Sequence, residues 1–147
     1  ADEEVAQAAV ISRPRGVGTV DVVVASHAGV PGEELLSRLR VQMEQEREIA
    51  VDLVVRAPET VEVSVAVEVA AKNGYDAETV RQRVKNALSD YFSGEILGED
   101  VLRARLGSVV YSCEGVENYR ITMPGEDIRV EQAQLPVLTE LTVEAMA

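Results

Sequence analysis

The sequence predicts an α+β fold in which a mainly antiparallel sheet is covered on one face by helices. Segments rich in valine and other β-branched residues predict several strands. Two regions of helical periodicity fall between groups of these strands. The chain has 147 residues, of which 46% are hydrophobic and 27% are charged. That balance is typical of a globular protein with a sizeable buried core.

The first segments of the chain predict a hairpin. Residues 5–12 are compatible with either a short strand or the end of a helix, because alanine favours a helix whereas Val10 and Ile11 favour a strand. Residues 13–18 carry proline and glycine and predict a turn. Residues 19–25 are dense in valine and predict a strand buried on both faces for most of its length. If both strands form, they pair as a hairpin.

A helix and a short strand follow. Residues 28–32 break the second strand, and Glu33 begins a helix of about 17 residues, roughly 25 Å long. Acidic residues in its first turn suit the helix dipole. Its apolar residues recur at helical spacing and are Leu35, Leu36, Leu39, Met43 and Ala50. Residues 51–55 then predict a short strand.

The alternation of residues 61–70 is the clearest pattern in the sequence. Five valines alternate with small or acidic residues, which places all the valines on one face of a strand. Asp76 is positioned to cap a helix over residues 77–92. The inward stripe of this helix is Val80, Val84, Leu88 and Tyr91.

The last third of the chain predicts one helix and three strands. The helix begins at 98–100, and the strands cover 115–122, 128–130 and an edge strand at 135–143. The inward residues of the helix are Leu102, Leu106, Val109 and Val110. Strict alternation in the first strand places Val116, Asn118, Arg120 and Thr122 on one face and Glu117, Tyr119 and Ile121 on the other.

The order of elements is close to the split βαβ plan of ferredoxin-like modules. We expect residues 1–147 to form a single fragment, with a subdivision into a strand-helix-strand part at 1–56 and an α+β part at 57–147. Because the first residue is alanine and not methionine, we expect a processed chain or a fragment that lacks its N-terminal part.

Charge and composition exclude several classes of partner. Twenty-six acidic residues against fourteen basic ones give a net charge of -12, which repels phosphate unless a basic patch is segregated. The basic residues are scattered, and four Tyr, one Phe and no Trp provide few stacking platforms for bases. No apolar run approaches the roughly 20 residues of a membrane-spanning helix. We therefore expect neither a nucleic-acid partner nor a membrane partner.

Four groups of residues could carry chemistry, and each has a structural explanation that we prefer. The loop 26–32 has the strand-glycine-helix layout of a phosphate-binding turn, but its glycine spacing matches no phosphate-binding motif. It also leads into Glu33 and Glu34, whose charge would repel a phosphate.

His27 is the only histidine. A metal site there would need one of those glutamates, and an ordinary loop histidine is the better interpretation.

Cys113 is the only cysteine, so the chain contains no internal disulfide and no multi-cysteine metal site. Pairing it with His27 as a nucleophile lacks any local signature, and a small buried hydrophobic residue is the better interpretation. The acidic pairs Glu99-Asp100 and Glu126-Asp127 predict helix caps and turns. We predict no catalytic, cofactor-binding or metal-ligating residue, no cofactor and no enzymatic activity.

A series of short segments occurs in a characteristic order over roughly residues 5–143. The segments are Pro14 through Val22, Gly29-Val30-Pro31, Val51-Asp52, Val54, Ala57-Pro58, the alternating valines of 61–70, Tyr91-Phe92, Gly94, Gly98, Gly115-Val116 and Pro124 through Ile128. Taken together, these segments resemble the baseplate J-like family of contractile-tail phages and related injection machines.

This resemblance implies a structural component of a phage baseplate wedge that assembles with copies of itself and with other baseplate or tail proteins. It implies no catalytic residue, no small-molecule substrate, and a location in the virion, with the host cytoplasm before assembly. Family members are considerably longer, so the chain is expected to be their C-terminal region. As a docking edge we nominate residues 135–143.

An alternative function from another class stays open at this point. A ferredoxin-like module of this size could bind a small ligand or regulate an enzyme. Such a module would need a discrete apolar pocket with convergent polar groups. A solid core with shallow grooves would instead favour assembly.

Overall fold

The computed structural model describes residues 3–12, 19–46 and 52–146. Within them the α+β class is confirmed, and the strands are divided between two three-stranded sheets. The elements in chain order are β1 (Val5–Ser12), β2 (Thr19–Ser26), α1 (Glu33–Glu46), β3 (Asp52–Arg56), β4 (Glu59–Ala71), α2 (Ala77–Tyr91), a 3-10 turn (Gly94–Ile96), α3 (Arg103–Tyr111), β5 (Val116–Met123) and β6 (Gln134–Ala145). No helix in this described part is long and apolar enough to cross a membrane.

The chain separates into two compact units. The first contains residues 1–60, 93–99 and 131–135, and the second contains 61–92, 100–130 and 136–147. The boundary after residue 56 that the sequence suggests stays a prediction.

The first unit contains the sheet β1-β2-β3. β1 and β2 pair antiparallel, as the hairpin prediction requires, whereas β2 and β3 are parallel. The parallel pair arises because α1 lies between the two strands and carries the chain back to the starting end of the sheet. The core residues of this unit are Val22, Val24, Leu35, Leu36, Leu39 and Val55. Residues 47–50, the predicted last turn of α1, lie outside the described part of the chain.

One buried charge in this unit has no signal in the sequence. Asp21 lies on β2 with only 6% of its surface exposed. The Nε of Arg56 donates to its carboxylate at 3.0 Å. A carboxylate in an apolar environment needs such a partner, so this ion pair ties β2 to β3.

The second unit contains the sheet β5-β4-β6, with β4 in the centre. The valines of β4 from 63 to 69 are 1–4% exposed, so the predicted alternation is confirmed. β5 is antiparallel to β4. The Thr139 hydroxyl donates to the Val63 carbonyl oxygen, and the Met146 N–H donates to the Val69 carbonyl oxygen. Because the later residue of β4 bonds to the later residue of the β6 segment, β4 and β6 run in the same direction.

Both sheets therefore combine one antiparallel pair with one parallel pair, and the single mainly antiparallel sheet that we predicted is wrong in this detail. Helices α2 and α3 pack in the same core as the valines of β4. Its fully buried helical residues are Val80, Val84, Leu88, Leu106 and Val110.

A bulge in β5 changes which side chains face the core. Ala71 pairs with Val116, but the next residue, Ala70, pairs with Asn118. The extra residue shifts the alternation by one position. Val116 and Ile121 are consequently both buried, and the predicted separation of these two residues onto opposite faces is wrong.

Long-range contacts also correct two predicted boundaries in this unit. α3 begins at Arg103 and not at 98–100, because Val101 forms an isolated antiparallel bridge with Ile128. The predicted strand 128–130 is reduced to this bridge. Asp100 accepts the Val130 N–H at 2.7 Å and holds the segment in place.

The cap of α2 makes a pH-dependent contribution to stability. Asp76 accepts hydrogen bonds from the Thr79 hydroxyl and from the Thr79 N–H, and these bonds lower the pKa of the Asp76 carboxyl. A lowered pKa stabilises the fold at pH values above the ordinary aspartate pKa of about 4, and this stabilisation is lost as the pH falls through the folded-state pKa.

We expect Asp76→Ala to lower the urea midpoint of unfolding at pH 7. The difference in midpoint between the variant and the parent chain should shrink towards pH 2. Asp90→Ala, at the other end of the helix, serves as control. A difference independent of pH would contradict this account.

Candidate functional site

The loop between β2 and α1 bonds to itself. The N–H groups of Ser26 and Gly29 each donate to the other residue's carbonyl oxygen at 2.9 Å. The Ser26 hydroxyl donates to the Gly29 carbonyl at 3.2 Å. A phosphate-binding turn instead needs several backbone N–H groups that point at one ligand. Two of the candidate donors are thus engaged within the loop.

His27 joins the start of β1 to the 3-10 turn. Its Nε2 lies 3.1 Å from the carbonyl oxygen of Glu3, and its Nδ1 lies 3.6 Å from a carboxylate oxygen of Glu95. The carboxylate beside the histidine is therefore Glu95, and Glu33 pairs with Arg40 at 2.7 Å. No group of three or more metal-ligating side chains occurs in the described ranges. Sequence reasoning could not find Glu95, because only the fold brings the two residues together.

Cys113 is half-buried at the end of α3. Its Sγ donates to the Val109 carbonyl oxygen at 3.4 Å, and burial raises the pKa of the thiol. A reactive cysteine needs the opposite shift, towards the thiolate. Cys113 lies in the second unit, whereas His27 lies in the first.

One aspartate from each acidic pair holds the chain around the start of α3. Asp127 accepts the Arg103 N–H at 2.7 Å and so satisfies one of the open donors of the helix. Asp100 makes the bond to Val130 described above. Both aspartates thus accept a backbone N–H from a residue distant in the chain, whereas the sequence predicted local helix caps and turns at these positions.

Arg103 is a central residue that sequence reasoning missed. Its Nε donates to the Pro124 carbonyl oxygen at 2.9 Å, and its Nη2 donates to the Ile121 carbonyl oxygen at 2.8 Å. Ile121 lies in β5, so the guanidinium covers part of the outer edge of that strand. Nothing in the local sequence distinguishes Arg103 from Arg105 in this respect.

The predicted docking edge lies within β6. This strand borders only β4 among the described residues, and is therefore an edge strand of the second sheet. Leu138, Leu141 and Val143 are half-buried and pack against the core of this unit. Glu140 and Glu144 are exposed. One side of β6 thus extends the core, and the other side is acidic.

The face of this sheet opposite the core is polar and open. A shallow groove of about 330 Å³ is lined by Ala66, Val67, Glu68, Thr122, Thr142 and Glu144. A second open groove of about 540 Å³ lies between the start of α3 and β5 and is lined by Arg103, Ala104, Asn118, Tyr119, Arg120 and Ile121. Both grooves are open and present polar and apolar atoms in similar amounts, which differs from the discrete apolar pocket that a small-ligand module needs.

Comparisons with known proteins give one family and one fold. The sequence matches the family model described as Baseplate J-like protein C-terminal domain over residues 63–144. A chain in the cryo-EM structure of the anti-feeding prophage (AFP) baseplate, 6-fold symmetrised, has a similar structure with a TM-score of 0.63 and 12% identity. The match covers 93% of this chain and 34% of that chain, so the present chain spans about a third of its length. No curated protein matches the sequence.

Proposed function

Because this chain belongs to the family of baseplate J-like protein C-terminal domains, we propose that it is a structural component of a phage contractile-tail baseplate, in the wedge, and that it acts through protein-protein assembly without catalysis. The observation that carries the proposal is the family match, which spans more than half of the chain and nearly all of the second unit. The resemblance that the sequence suggested is confirmed by this match.

The proposed partners are other baseplate and tail proteins together with copies of the chain itself. The AFP chain of similar fold was determined within a baseplate. The proposed location is the tail baseplate of the virion, after synthesis in the host cytoplasm. We propose no nucleic-acid, membrane or small-molecule partner for this part of the protein.

Local structure supports a role without catalysis. The single histidine bonds to the Glu3 carbonyl oxygen, and the thiol of the single cysteine donates to the Val109 carbonyl oxygen. The aspartates that could have served acid-base chemistry accept backbone N–H bonds. These contacts stabilise turns and helix ends and do not converge on an open site.

The charge of the chain supports a role in controlling assembly. Copies that carry -12 repel one another in solution, and partners with basic patches are attracted over a distance set by the salt concentration. The acidic surface would keep free subunits apart until such partners engage them.

Co-expression with the proteins encoded beside it, followed by affinity purification of this chain, tests the role. We expect a stable complex with at least one tail or baseplate protein, whose association rate falls about tenfold between about 20 mM and about 500 mM NaCl. A rate indifferent to salt would contradict the electrostatic part. The absence of any complex with every neighbouring tail protein would contradict the structural role itself.

A further inference from the structure

The two edges of the second sheet differ in how their backbone groups are satisfied. On β5, the Tyr119 N–H donates to the Asn118 side-chain oxygen at 2.9 Å, and the Ile121 carbonyl oxygen accepts from Arg103 at 2.8 Å. An edge strand whose outward groups bond to side chains of its own chain is protected against pairing with another strand. The β5 edge is closed in this way at Tyr119 and Ile121, in the middle of the strand.

Among the residues that the structure describes, no strand pairs with β6 on the side away from β4, so we treat this edge as open. The Met146 N–H donates to the Val69 carbonyl oxygen at 2.9 Å, which directs residue 146 towards β4. Because backbone groups alternate in direction along a strand, the N–H groups of residues 141, 143 and 145 point away from the sheet. Leu141 and Val143 also lie half-buried at the rim of the core, where a further strand would cover them.

The charge beside this edge specifies the kind of strand that fits. On the face away from the core, β4 carries Glu62 and Glu68 and β6 carries Glu140 and Glu144, and neither strand contains a lysine or an arginine. Arg120 of β5 pairs with Glu68 at 3.4 Å, on the side of β4 away from β6. A strand added at β6 therefore meets acidic residues on the outer face and apolar residues on the core face.

A second copy of the chain fits this edge poorly. Pairing two β6 strands brings Glu140 and Glu144 of both copies onto adjoining strands that contain no basic residue, and in the antiparallel register centred on Thr142 the glutamates lie directly opposite each other. Like charges directly opposite each other destabilise a strand pair. A chain of opposite charge avoids this repulsion, so the acidic face of β6 favours a different, basic chain as the occupant.

We propose that β6 accepts, as an additional strand, an extended segment of another protein in which apolar residues alternate with lysine or arginine. This inference rests on the proposed baseplate role, because it names the partner chemistry for the same assembly function. It also implies that a further strand adds to the sheet at the β6 edge and not at the β5 edge.

The probe is a synthetic peptide of about ten residues that alternates valine and lysine, titrated into the ¹⁵N-labelled chain. We expect the amide signals of residues 141, 143 and 145 to shift. A peptide with glutamate in place of lysine should bind at least about tenfold more weakly.

A valine-lysine peptide that is methylated on alternate backbone nitrogens keeps its charge but cannot form the strand hydrogen bonds. It should therefore lose most of its affinity for the chain. Equal binding of the methylated peptide, or shifts centred on β5, would overturn the proposal.

Variants of the chain sharpen the test. Glu140→Lys combined with Glu144→Lys should reverse the preference so that the glutamate peptide binds more tightly. Glu117→Lys combined with Glu126→Lys changes the net charge equally at exposed positions away from β6 and should leave the preference unchanged. If sedimentation instead reveals a dimer that Val143→Pro abolishes, the occupant is a second copy and the proposal is wrong.

The result separates this inference from the proposed function. If a tail protein binds the chain without shifting the β6 amides, the edge assignment fails and the baseplate role stands. If the peptide binds at β6 but no neighbouring tail protein does, the baseplate role fails and the open edge stands.

Discussion

Replacing Leu88 by alanine is expected to lower the free energy of unfolding of the second unit by about 3 kcal/mol. Leu88 has no exposed surface and lies on α2 within the core formed with the valines of β4. Removing its branched end loses the transfer free energy of the deleted carbons and leaves a cavity, because a closely packed interior relaxes only in part.

Urea unfolding followed by circular dichroism measures this loss, since the chain contains no tryptophan. Leu141→Ala is the matched control, because it deletes the same atoms from a half-buried leucine of the same core. It should cost about 1 kcal/mol. If the two variants lose equal stability, the assignment of Leu88 to the centre of the core is wrong.

Gly94→Ala is expected to destabilise the first unit by about 3 kcal/mol. A Cβ atom at Gly94 would lie 2.8 Å from the carbonyl carbon of Ser26 and closer still to its oxygen. Both Gly94 and Ser26 belong to the first unit. The obstacle is backbone at the end of β2 and cannot rotate away as a side chain could, so the 3-10 turn must move off the strand.

Gly125→Ala, in the second unit, is the control for this prediction. A Cβ atom there meets nothing within 4 Å, and the substitution reduces the freedom of the unfolded chain, so stability should stay level or rise slightly. Because the two units could unfold separately, hydrogen exchange at amides of β2 and the 3-10 turn reports the effect best. Equal protection of these amides in both variants would mean that the close approach does not exist.

Local patterns were sufficient for much of the second unit. The alternating valines identified the buried face of β4, and Asp76 identified the first residue of α2. Both depend on residues close together in the chain, where strand or helix geometry alone decides which side chains share a face. The valine-rich residues 19–25 likewise predicted β2, whereas the composition of residues 5–12 was compatible with either a strand or the end of a helix, and the structure shows the strand that completes the hairpin.

Contacts between distant residues were not accessible in the same way. The beginning of α3 depends on Ile128 and Val130, which bond to Val101 and Asp100. The extra residue in β5 is visible only in its pairing with β4. The position of Glu95 beside His27 is another such contact.

The sequence by itself determined the α+β class, the acidic charge, the main amphipathic faces and the resemblance to the baseplate J-like family, because composition, periodicity and local motifs carry these properties. Only the tertiary structure decided that the strands form two mixed sheets, that Arg103 and Asn118 close the β5 edge, and that β6 stays open. The physical reason is that strand pairing and edge protection depend on hydrogen bonds between groups far apart in the chain, such as that from Arg103 to Ile121, and local preferences do not specify which distant groups will meet.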